Sequence, residues 1–210
     1  MNASGGRSEG VKPESTIPAR PMPISPLLRR EDRVSVRRRQ GDFPMMRGLL
    51  AVNRGTRLLD LGGGTGALAA ALAGEGARAV VLEPNPRKIA FGRSRHPQVE
   101  FLQGHAERIP FPDGSLDRAI AMLSLHHMED PDRALREMYR VLVPSGRFLL
   151  QEFYPHAAPG ALVRRLFGRR HGSHHRYYEP DGLRTALGAA GFRDIVVRAS
   201  ERTYYALAVR

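Results

Sequence analysis

Short apolar runs alternate with helical patterns between residues 56 and 152, and this alternation is the clearest structural signal in the chain. Apolar runs of four to eight residues that end in polar or glycine-rich turns are typical of buried strands. Strands that alternate with helices form right-handed β-α-β units, whose strands pair in parallel beneath helices on both faces. The predicted strands are 56–61, 78–83, 99–103, 117–123 and 147–152, and the predicted helices are 66–73, one opened by Pro86, and 132–142.

The alternation stops after the fifth predicted strand. Residues 153–179 are rich in basic, aromatic and histidine side chains and have helical potential only over 161–167. A helix is predicted over 180–190, followed by two strands at 192–199 and 203–209 that a short polar turn joins. The chain therefore ends in a predicted β-hairpin added to a mostly parallel sheet.

Composition divides the chain into three parts. Residues 1–25 are rich in glycine, serine and proline without apolar periodicity, so they are predicted to be a disordered basic tail. Residues 26–54 are predicted to form a helical cover, with a charged helix over 27–40 and a more apolar one over 43–52. Residues 55–210 are predicted to be the main domain, in which 153–179 is an insertion on the substrate side.

The net charge of the chain is +12, and almost all of its cations are arginines. The excess lies before residue 55 and after residue 150, whereas the segment between is nearly neutral. Such flanks favour an anionic small molecule, an acidic partner, nucleic acid or a membrane surface, although solvated arginines without a partner would give the same count. Because no recognised nucleic-acid module is visible, a small molecule is preferred to nucleic acid.

Three features that the sequence lacks narrow the range of possible functions. The chain has no cysteine, which excludes a disulfide framework and a thiolate metal site. His171, His174 and His175 have a spacing compatible with a metal, but no carboxylate or thiol completes a ligand pattern, so no metal is expected. No apolar run resembles a signal-peptide core or is long enough to span a bilayer, so we expect a cytoplasmic protein.

The glycine-rich turn after the first predicted strand carries most of the chemical information. Residues 58–66 (LLDLGGGTG) run from an apolar strand through glycines into an Ala/Leu helix. This arrangement builds a ligand site at the carboxyl edge of a parallel sheet, where glycines allow a ligand to lie against the backbone. Asp60 at the mouth of the turn would repel a diphosphate and attract a ligand that carries an ammonium and a sulfonium.

The dinucleotide fingerprint also fits loosely. Gly62, Gly64 and Ala67 occupy its glycine and alanine positions, and Glu83 follows about 20 residues later. No lysine follows a tyrosine at the spacing of a short-chain dehydrogenase, and no phosphate-binding loop with its Gly-Lys pair exists. The glycine pattern alone is therefore weak, and Asp60, Gly66 and the downstream motifs favour another nucleotide-type ligand.

With these pieces placed, the chain resembles the class I S-adenosylmethionine-dependent methyltransferases, particularly the group that includes the ubiquinone/menaquinone-biosynthesis enzymes. The resemblance covers about residues 55–210 and rests on five motifs: LLDLGGGTG at 58–66, VLEPNP at 81–86, GHAERIPFPDGSLD at 104–117, LHHMEDP at 125–131 and RVLVPSGR at 140–147. It implies an α/β fold: a Rossmann-like, doubly wound, mostly parallel seven-stranded sheet with an antiparallel C-terminal strand.

The resemblance also implies S-adenosyl-L-methionine as cofactor. Asp60 and the loop amides would hold its methionine moiety, and Glu83 would accept both ribose hydroxyls. His105 stands where similar enzymes commonly have an aspartate that accepts from the adenine amino group, so its role is open between adenine contact and a surface histidine. The implied cofactor residues are Asp60, Gly62, Gly63, Gly64, Gly66, Glu83, Pro84, His105, Ala106, Glu107, Met122 and Leu123.

The function implied is transfer of a methyl group to a small-molecule acceptor by in-line displacement. The alternatives are an RNA or protein methyltransferase, or a cofactor-binding protein without transferase activity. Similar enzymes often have a Leu-His-His pattern after strand four, where one histidine orients the loop or takes part in the chemistry. Weak catalytic candidates are His126, His127, Tyr154 and His156, the last two in the segment that should cap the acceptor side.

Overall fold

A seven-stranded sheet with the order β3-β2-β1-β4-β5-β7-β6 organises the computed structural model of this protein. The structure describes residues 26–30, 32, 43–154, 176–199 and 202–210. Its strands are β1 (Arg57–Leu61), β2 (Arg78–Glu83), β3 (Glu100–Gln103), β4 (Leu116–Met122), β5 (Leu142–Phe153), β6 (Arg193–Ala199) and β7 (Thr203–Val209). Its helices are α1 (Phe43–Leu50), α2 (Ala67–Gly74), α3 (Pro86–Arg95), α4 (Pro131–Val141) and α5 (Pro180–Ala189), with a 3₁₀ turn at Leu125–His127.

The pairing of the strands confirms the predicted fold class. β1 pairs in parallel with β2 and with β4, β2 with β3, and β4 with β5. β7 is antiparallel to both β5 and β6, so the predicted terminal hairpin inserts one reversed strand into an otherwise parallel sheet. The strand order reverses between β1 and β4, and the carboxyl ends of both strands open there towards a ligand site.

Two hydrophobic clusters fill the faces of the sheet. Consecutive strand residues point to opposite faces, so Leu58 packs among α1 and α2 whereas Leu59 packs among α4 and α5. Both side chains are completely buried. β1 therefore carries apolar side chains on both of its faces, as expected for a central strand of a parallel sheet with both faces covered.

Local sequence sets the helix starts that border the site. Asn85 accepts a hydrogen bond from the Arg87 amide at the start of α3, and Asp130 accepts one from the Arg133 amide at the start of α4. A proline occupies the first turn of each helix, where its missing N–H costs no hydrogen bond. Because both caps stand at the carboxyl edge of the sheet, both helices begin beside the ligand cleft.

The start of the fifth strand differs from the prediction. β5 begins at Leu142, directly after α4, and not at residue 147. Its register with β4 jumps from Leu142 opposite Leu116 to Arg147 opposite Arg118, and Ser145 adopts a φ of 66° in between. Hydrogen bonds with Arg210, the residue after β7, hold this irregular stretch in the sheet, so Pro144-Ser145-Gly146 forms a bulge within β5.

The region predicted as an N-terminal cover is described in part. The predicted helix over 43–52 is observed as α1, whose last carbonyls at Leu49 and Leu50 accept hydrogen bonds from Arg147 and Arg118. Residues 26–30 and Asp32 are helical, within the predicted helix over 27–40. The tail over 1–25, residues 33–42 and the helical potential over 161–167 lie outside the described residues.

Candidate functional site

The glycine turn after β1 wraps tightly around Asp60. The Asp60 side chain is 1% exposed, and a Cβ atom on Gly63 would lie 2.5 Å from its Cγ. A Cβ on Gly62, which has a φ of 68°, would lie 2.7 Å from Cβ of Ser124. The Gly62 amide donates to the Leu82 carbonyl at 2.8 Å, which ties the turn to β2. Glycine is therefore required here for close approach as well as for backbone conformation.

Gly66 has a different role from its neighbours. It precedes α2 with a φ of 77°, and a Cβ atom there would meet the Phe101 ring at 2.5 Å. Gly66 does not line the cleft, although the sequence prediction placed it in the cofactor site. In this structure it allows the turn to pack against β3, and direct contact with a ligand stays a prediction.

The second strand-ending acid, Glu83, holds the turn from the other side. Its side chain is 6% exposed, Oε2 accepts from the Gly64 amide at 3.0 Å, and Oε1 accepts from the Asn85 amide at 3.0 Å. Each carboxylate oxygen has two acceptor directions, so these bonds leave capacity for ligand hydroxyls. Glu83 thus fixes the glycine turn and the start of α3 relative to each other.

A cleft of about 740 Å³ opens at this edge of the sheet. It is lined by the ends of β1, β2 and β4, by the loop after β3 and by the turn before α4. Eleven of the twelve predicted cofactor residues line it, all except Gly66; the other lining residues are Leu61, Thr65, Ala67, Leu68, Leu82, Asn85, Lys88, Gly104, Ser124, His127, Met128 and Glu129.

The loop after β3 supplies one wall of the cleft. Ala106 is buried, whereas His105 is exposed at the rim. Glu107 accepts hydrogen bonds from the amides of Glu129 and Asp130 at 2.9 and 3.2 Å. Its carboxylate therefore joins this wall to the turn before α4. The sequence predicted a cofactor contact for Glu107 and did not predict this structural role. The exposed position of His105 leaves its role in adenine contact a prediction.

The floor of the cleft is the end of β4. Leu123 has a φ of 57°, and its amide donates to the Gln151 carbonyl at 2.8 Å. The Ser124 hydroxyl donates to the Leu61 carbonyl at 2.8 Å, which links the ends of β1 and β4. A left-handed conformation is uncommon for leucine and is retained where the surroundings enforce it, as these two bonds do here.

The two histidines after β4 lie in different environments. His127 is exposed and lines the cleft. His126 is buried, and its Nδ1 lies 2.6 Å from Oε2 of Glu152 at the end of β5. Its ring stacks on Tyr177 with a centroid distance of 4.7 Å. The structure therefore separates the Leu-His-His pattern into a histidine at the cleft and one held by a carboxylate behind it.

The other catalytic candidates are less informative. Tyr154 is partly buried, and its ring lies 5.2 Å from the ring of Tyr204 on β7. His156 lies outside the described residues, as do His171, His174 and His175. Among the described residues, no group of three or more potential metal ligands is found.

The segment that leads into α5 is fastened to the start of α4. The Tyr178 hydroxyl and Arg176 both donate to the Asp132 carboxylate at 2.7 Å. The hydrogen bond from Tyr178, followed by that from Arg176, lowers the pKa of Asp132, while burial raises the pKa of the Tyr178 hydroxyl. This fastening holds the neighbouring Tyr177 ring against His126.

Sequence reasoning missed two acids that the structure brings to this edge. Glu152 stands near the end of β5 as Asp60 does on β1 and Glu83 on β2, so the same rule of strand-ending acids would have found it. The Thr65 hydroxyl donates a hydrogen bond of 2.7 Å to Asp32, which lies 33 residues earlier in the chain. No local sequence pattern predicts this contact.

Comparison with known proteins agrees with this geometry. A family model described as a methyltransferase domain matches residues 59–150. The ubiquinone/menaquinone biosynthesis C-methyltransferase UbiE of Escherichia coli O1:K1 / APEC is 41% identical over 111 residues, which are 49% of this chain and 44% of that protein. The aligned part therefore spans less than half the length of this curated relative.

Solved structures share the fold at low sequence identity. The YcgJ protein of Bacillus subtilis superposes with a TM-score of 0.68 at 19% identity, over 81% of this chain and 98% of the other. A phosphoethanolamine N-methyltransferase 2 of Haemonchus contortus, described in complex with phosphomonomethylethanolamine and S-adenosylhomocysteine, has a TM-score of 0.70 at 16% identity, over 81% of this chain and 52% of the other. Within the residues that the structure covers, no helix has the length and apolar character needed to cross a membrane.

Proposed function

We propose that this protein, whose residues 59–150 match the model of a methyltransferase domain, is an S-adenosyl-L-methionine-dependent methyltransferase acting on a small-molecule acceptor. The observation that carries the proposal is the pair of buried carboxylates, Asp60 and Glu83, on the two sides of a glycine turn at the mouth of one cleft. An ammonium group at one end of a ligand and a ribose at the other match this pair.

The residues present fit the methyl donor. A carboxylate at Asp60 offsets the ammonium charge of a methionine moiety. A Cβ atom on Gly62 would collide with Ser124 and one on Gly63 with Asp60, so these glycines keep the turn close to that carboxylate. The spare acceptor capacity of Glu83 suits two ribose hydroxyls. Ala106 and Pro84 offer small and apolar surface for the adenine ring.

When bound, S-adenosyl-L-methionine supplies a methyl group activated by its sulfonium. The chain has to align the acceptor and to exclude water, because the reactivity resides in the donor. Met122 ends β4 and Leu123 follows it on the floor of the cleft, where the Leu123 amide is held by its hydrogen bond to the Gln151 carbonyl of β5. We assign these two residues to the boundary between donor and acceptor.

The proposed acceptor is a small molecule, because UbiE is described as a methyltransferase of ubiquinone/menaquinone biosynthesis and the Haemonchus contortus enzyme is described in complex with phosphomonomethylethanolamine. The net charge of +12 adds a preference for an anionic one. We extend the proposal to a cytoplasmic location, as expected from the sequence.

Isothermal titration calorimetry of the protein with S-adenosyl-L-methionine, S-adenosylhomocysteine and NAD tests the proposal. We expect both adenosyl ligands to bind and NAD not to bind, since Asp60 repels a diphosphate. Turnover is then followed as S-adenosylhomocysteine released in the presence of a small-molecule panel and, separately, of RNA. NAD binding in place of the adenosyl ligands, or methylation of RNA alone, would overturn the proposal.

A further inference from the structure

A buried carboxylate from the N-terminal part of the chain reaches the glycine turn that borders the cleft. Asp32 is 6% exposed, and its Oδ1 accepts a hydrogen bond of 2.7 Å from the Thr65 hydroxyl. Thr65 is 4% exposed and lines the cleft. Residues 26–30 are helical like Asp32, and together they form the N-terminal segment. The contact therefore joins this segment to the turn.

The same carboxylate also meets the end of α3. Nε2 of His96, the residue that follows α3, lies 3.5 Å from Oδ1 of Asp32. α3 packs closely on the turn, because a Cβ atom on Gly92 would lie 2.8 Å from the Thr65 carbonyl oxygen. Asp32 therefore lies where three separate parts of the chain meet: the N-terminal segment, the glycine turn and the end of α3.

The glycine turn depends on such contacts for its conformation. Thr65 lies between Gly64 and Gly66, whose φ values are 61° and 77°. Glycine adopts many backbone conformations at similar cost, so a turn built from glycines has little conformational preference of its own. Glu83 of β2 accepts from the Gly64 amide, and Asp32 accepts from the next side chain. Two carboxylates from different elements thus hold adjacent residues of the turn.

A turn that is held in this way has an affinity that depends on what holds it. When only a fraction of the molecules has the binding conformation, the apparent affinity for a ligand falls by that fraction. Coupling of this kind is reciprocal, because the ligand must stabilise the docked N-terminal segment by the same factor as the segment improves binding. Docking of the segment and occupation of the cleft are therefore two measurements of one free energy.

We propose that Asp32 is a positioning residue for the methyl donor: through the Thr65 hydroxyl it holds the glycine turn in its binding conformation, so that donor binding and docking of the N-terminal segment are coupled. The inference rests on the proposed methyltransferase function. It adds a residue from outside residues 59–150, the part of the chain that matches the methyltransferase domain. The N-terminal segment, predicted as a cover, thereby becomes part of the donor site.

Calorimetric titration with S-adenosyl-L-methionine measures one side of the coupling. Asp32→Ala should weaken binding about five- to fiftyfold, within the range typical of coupled sites. Asp32→Asn should stay within about threefold of the wild type, because its amide oxygen still accepts from Thr65. Asp117→Ala is the matched control, since Asp117 accepts from the backbone and side chain of Arg57 near the start of β4, at the end of that strand away from the cleft. It should destabilise the fold and leave the donor affinity unchanged.

A double-mutant cycle tests whether the effect passes through Thr65. Thr65→Val keeps the shape of the side chain and removes its hydroxyl, so it should weaken donor binding as much as Asp32→Ala does. The double variant should bind no more weakly than either single variant, because both changes break the same hydrogen bond. Losses that add in the double variant would show that the two side chains act independently and would overturn the inference.

Hydrogen exchange measures the other side of the coupling. Saturating S-adenosylhomocysteine should slow exchange in a wild-type peptide spanning residues 26–32 by up to the same factor, about five- to fiftyfold. It should not slow exchange of this peptide in Asp32→Ala. A peptide from α5, which does not line the cleft, is the internal reference and should change little.

The outcomes separate this inference from the proposed function. If the wild type binds neither adenosyl ligand, the proposed function fails and the inference fails with it. If the wild type binds them and Asp32→Ala binds as tightly, only the inference fails. The same holds if Asp117→Ala loses as much affinity as Asp32→Ala, or if exchange over 26–32 does not respond to the ligand. If Asp32→Ala does not fold, Thr65→Val and the wild-type exchange still decide.

Discussion

Replacing Gly63 with alanine tests whether the glycine turn serves to bring bare backbone against Asp60 and its ligand. Gly63 does not have a positive φ, so alanine there causes no backbone strain. The new Cβ would lie 2.5 Å from Cγ and 2.6 Å from Oδ2 of Asp60. The effect of Gly63→Ala therefore comes from the side-chain collision alone.

The magnitude follows from this overlap. Carbon atoms prefer a separation of about 3.5–4.0 Å, so the Asp60 carboxylate must move by about 1 Å. A hydrogen bond to a charged group contributes about 1.5–3 kcal/mol, and its loss lowers the affinity for S-adenosyl-L-methionine about ten- to hundredfold. Overpacking against the buried Asp60 carboxylate adds a fall of about 1–3 kcal/mol in the free energy of unfolding.

Calorimetric titration with S-adenosyl-L-methionine measures the affinity, and urea unfolding measures the stability. Gly74→Ala is the matched control, because a Cβ at the end of α2 meets nothing within 4 Å. We expect the control to keep the wild-type affinity. If Gly63→Ala bound the donor as tightly as Gly74→Ala does, the turn would not hold the ligand through Asp60.

Three further predictions concern groups around the cleft. Glu83→Ala should weaken binding of S-adenosyl-L-methionine by about 1.5–3 kcal/mol, and it should also destabilise the fold, because the amides of Gly64 and Asn85 lose their acceptor; titration showing unchanged affinity would refute the ribose assignment. Asp32→Ala should lower the free energy of unfolding by about 1–3 kcal/mol, because the buried Thr65 hydroxyl loses its partner; urea unfolding equal to that of the wild type would contradict this role. The pKa of Glu137 is lowered mainly by its hydrogen bond with Arg140, so its contribution to stability is present above its unfolded pKa of about 4.3 and is lost as the pH falls through the lower folded value. Glu137→Gln should therefore flatten the fall of unfolding free energy in acid, and an unaltered pH dependence would exclude this pair as its source.

Local sequence patterns were sufficient to predict which edge of the sheet holds the candidate ligand site. The apolar runs predicted five parallel strands and a terminal hairpin, and all seven strands are observed. Asp60 and Glu83 were predicted, from the family resemblance, to hold the two ends of one cofactor. Both line the cleft, because parallel strands bring their carboxyl ends to one edge of the sheet. The proline that begins α4 and the glycines of the turn act on their own backbone, so their effects can be predicted from adjacent residues.

Contacts between distant residues depend on the assembled fold. Glu152 and His126 are 26 positions apart, and Asp32 and Thr65 are 33 apart, so no periodicity relates them. The bulge at the start of β5 arises because β7 pairs with a stretch that reads locally as a turn. Sequence by itself determined the strands, the turn and the edge where a ligand lies, because these follow from backbone conformation and alternation; only the tertiary structure decided which side chain meets which across that edge, because such pairs form when separate elements pack together.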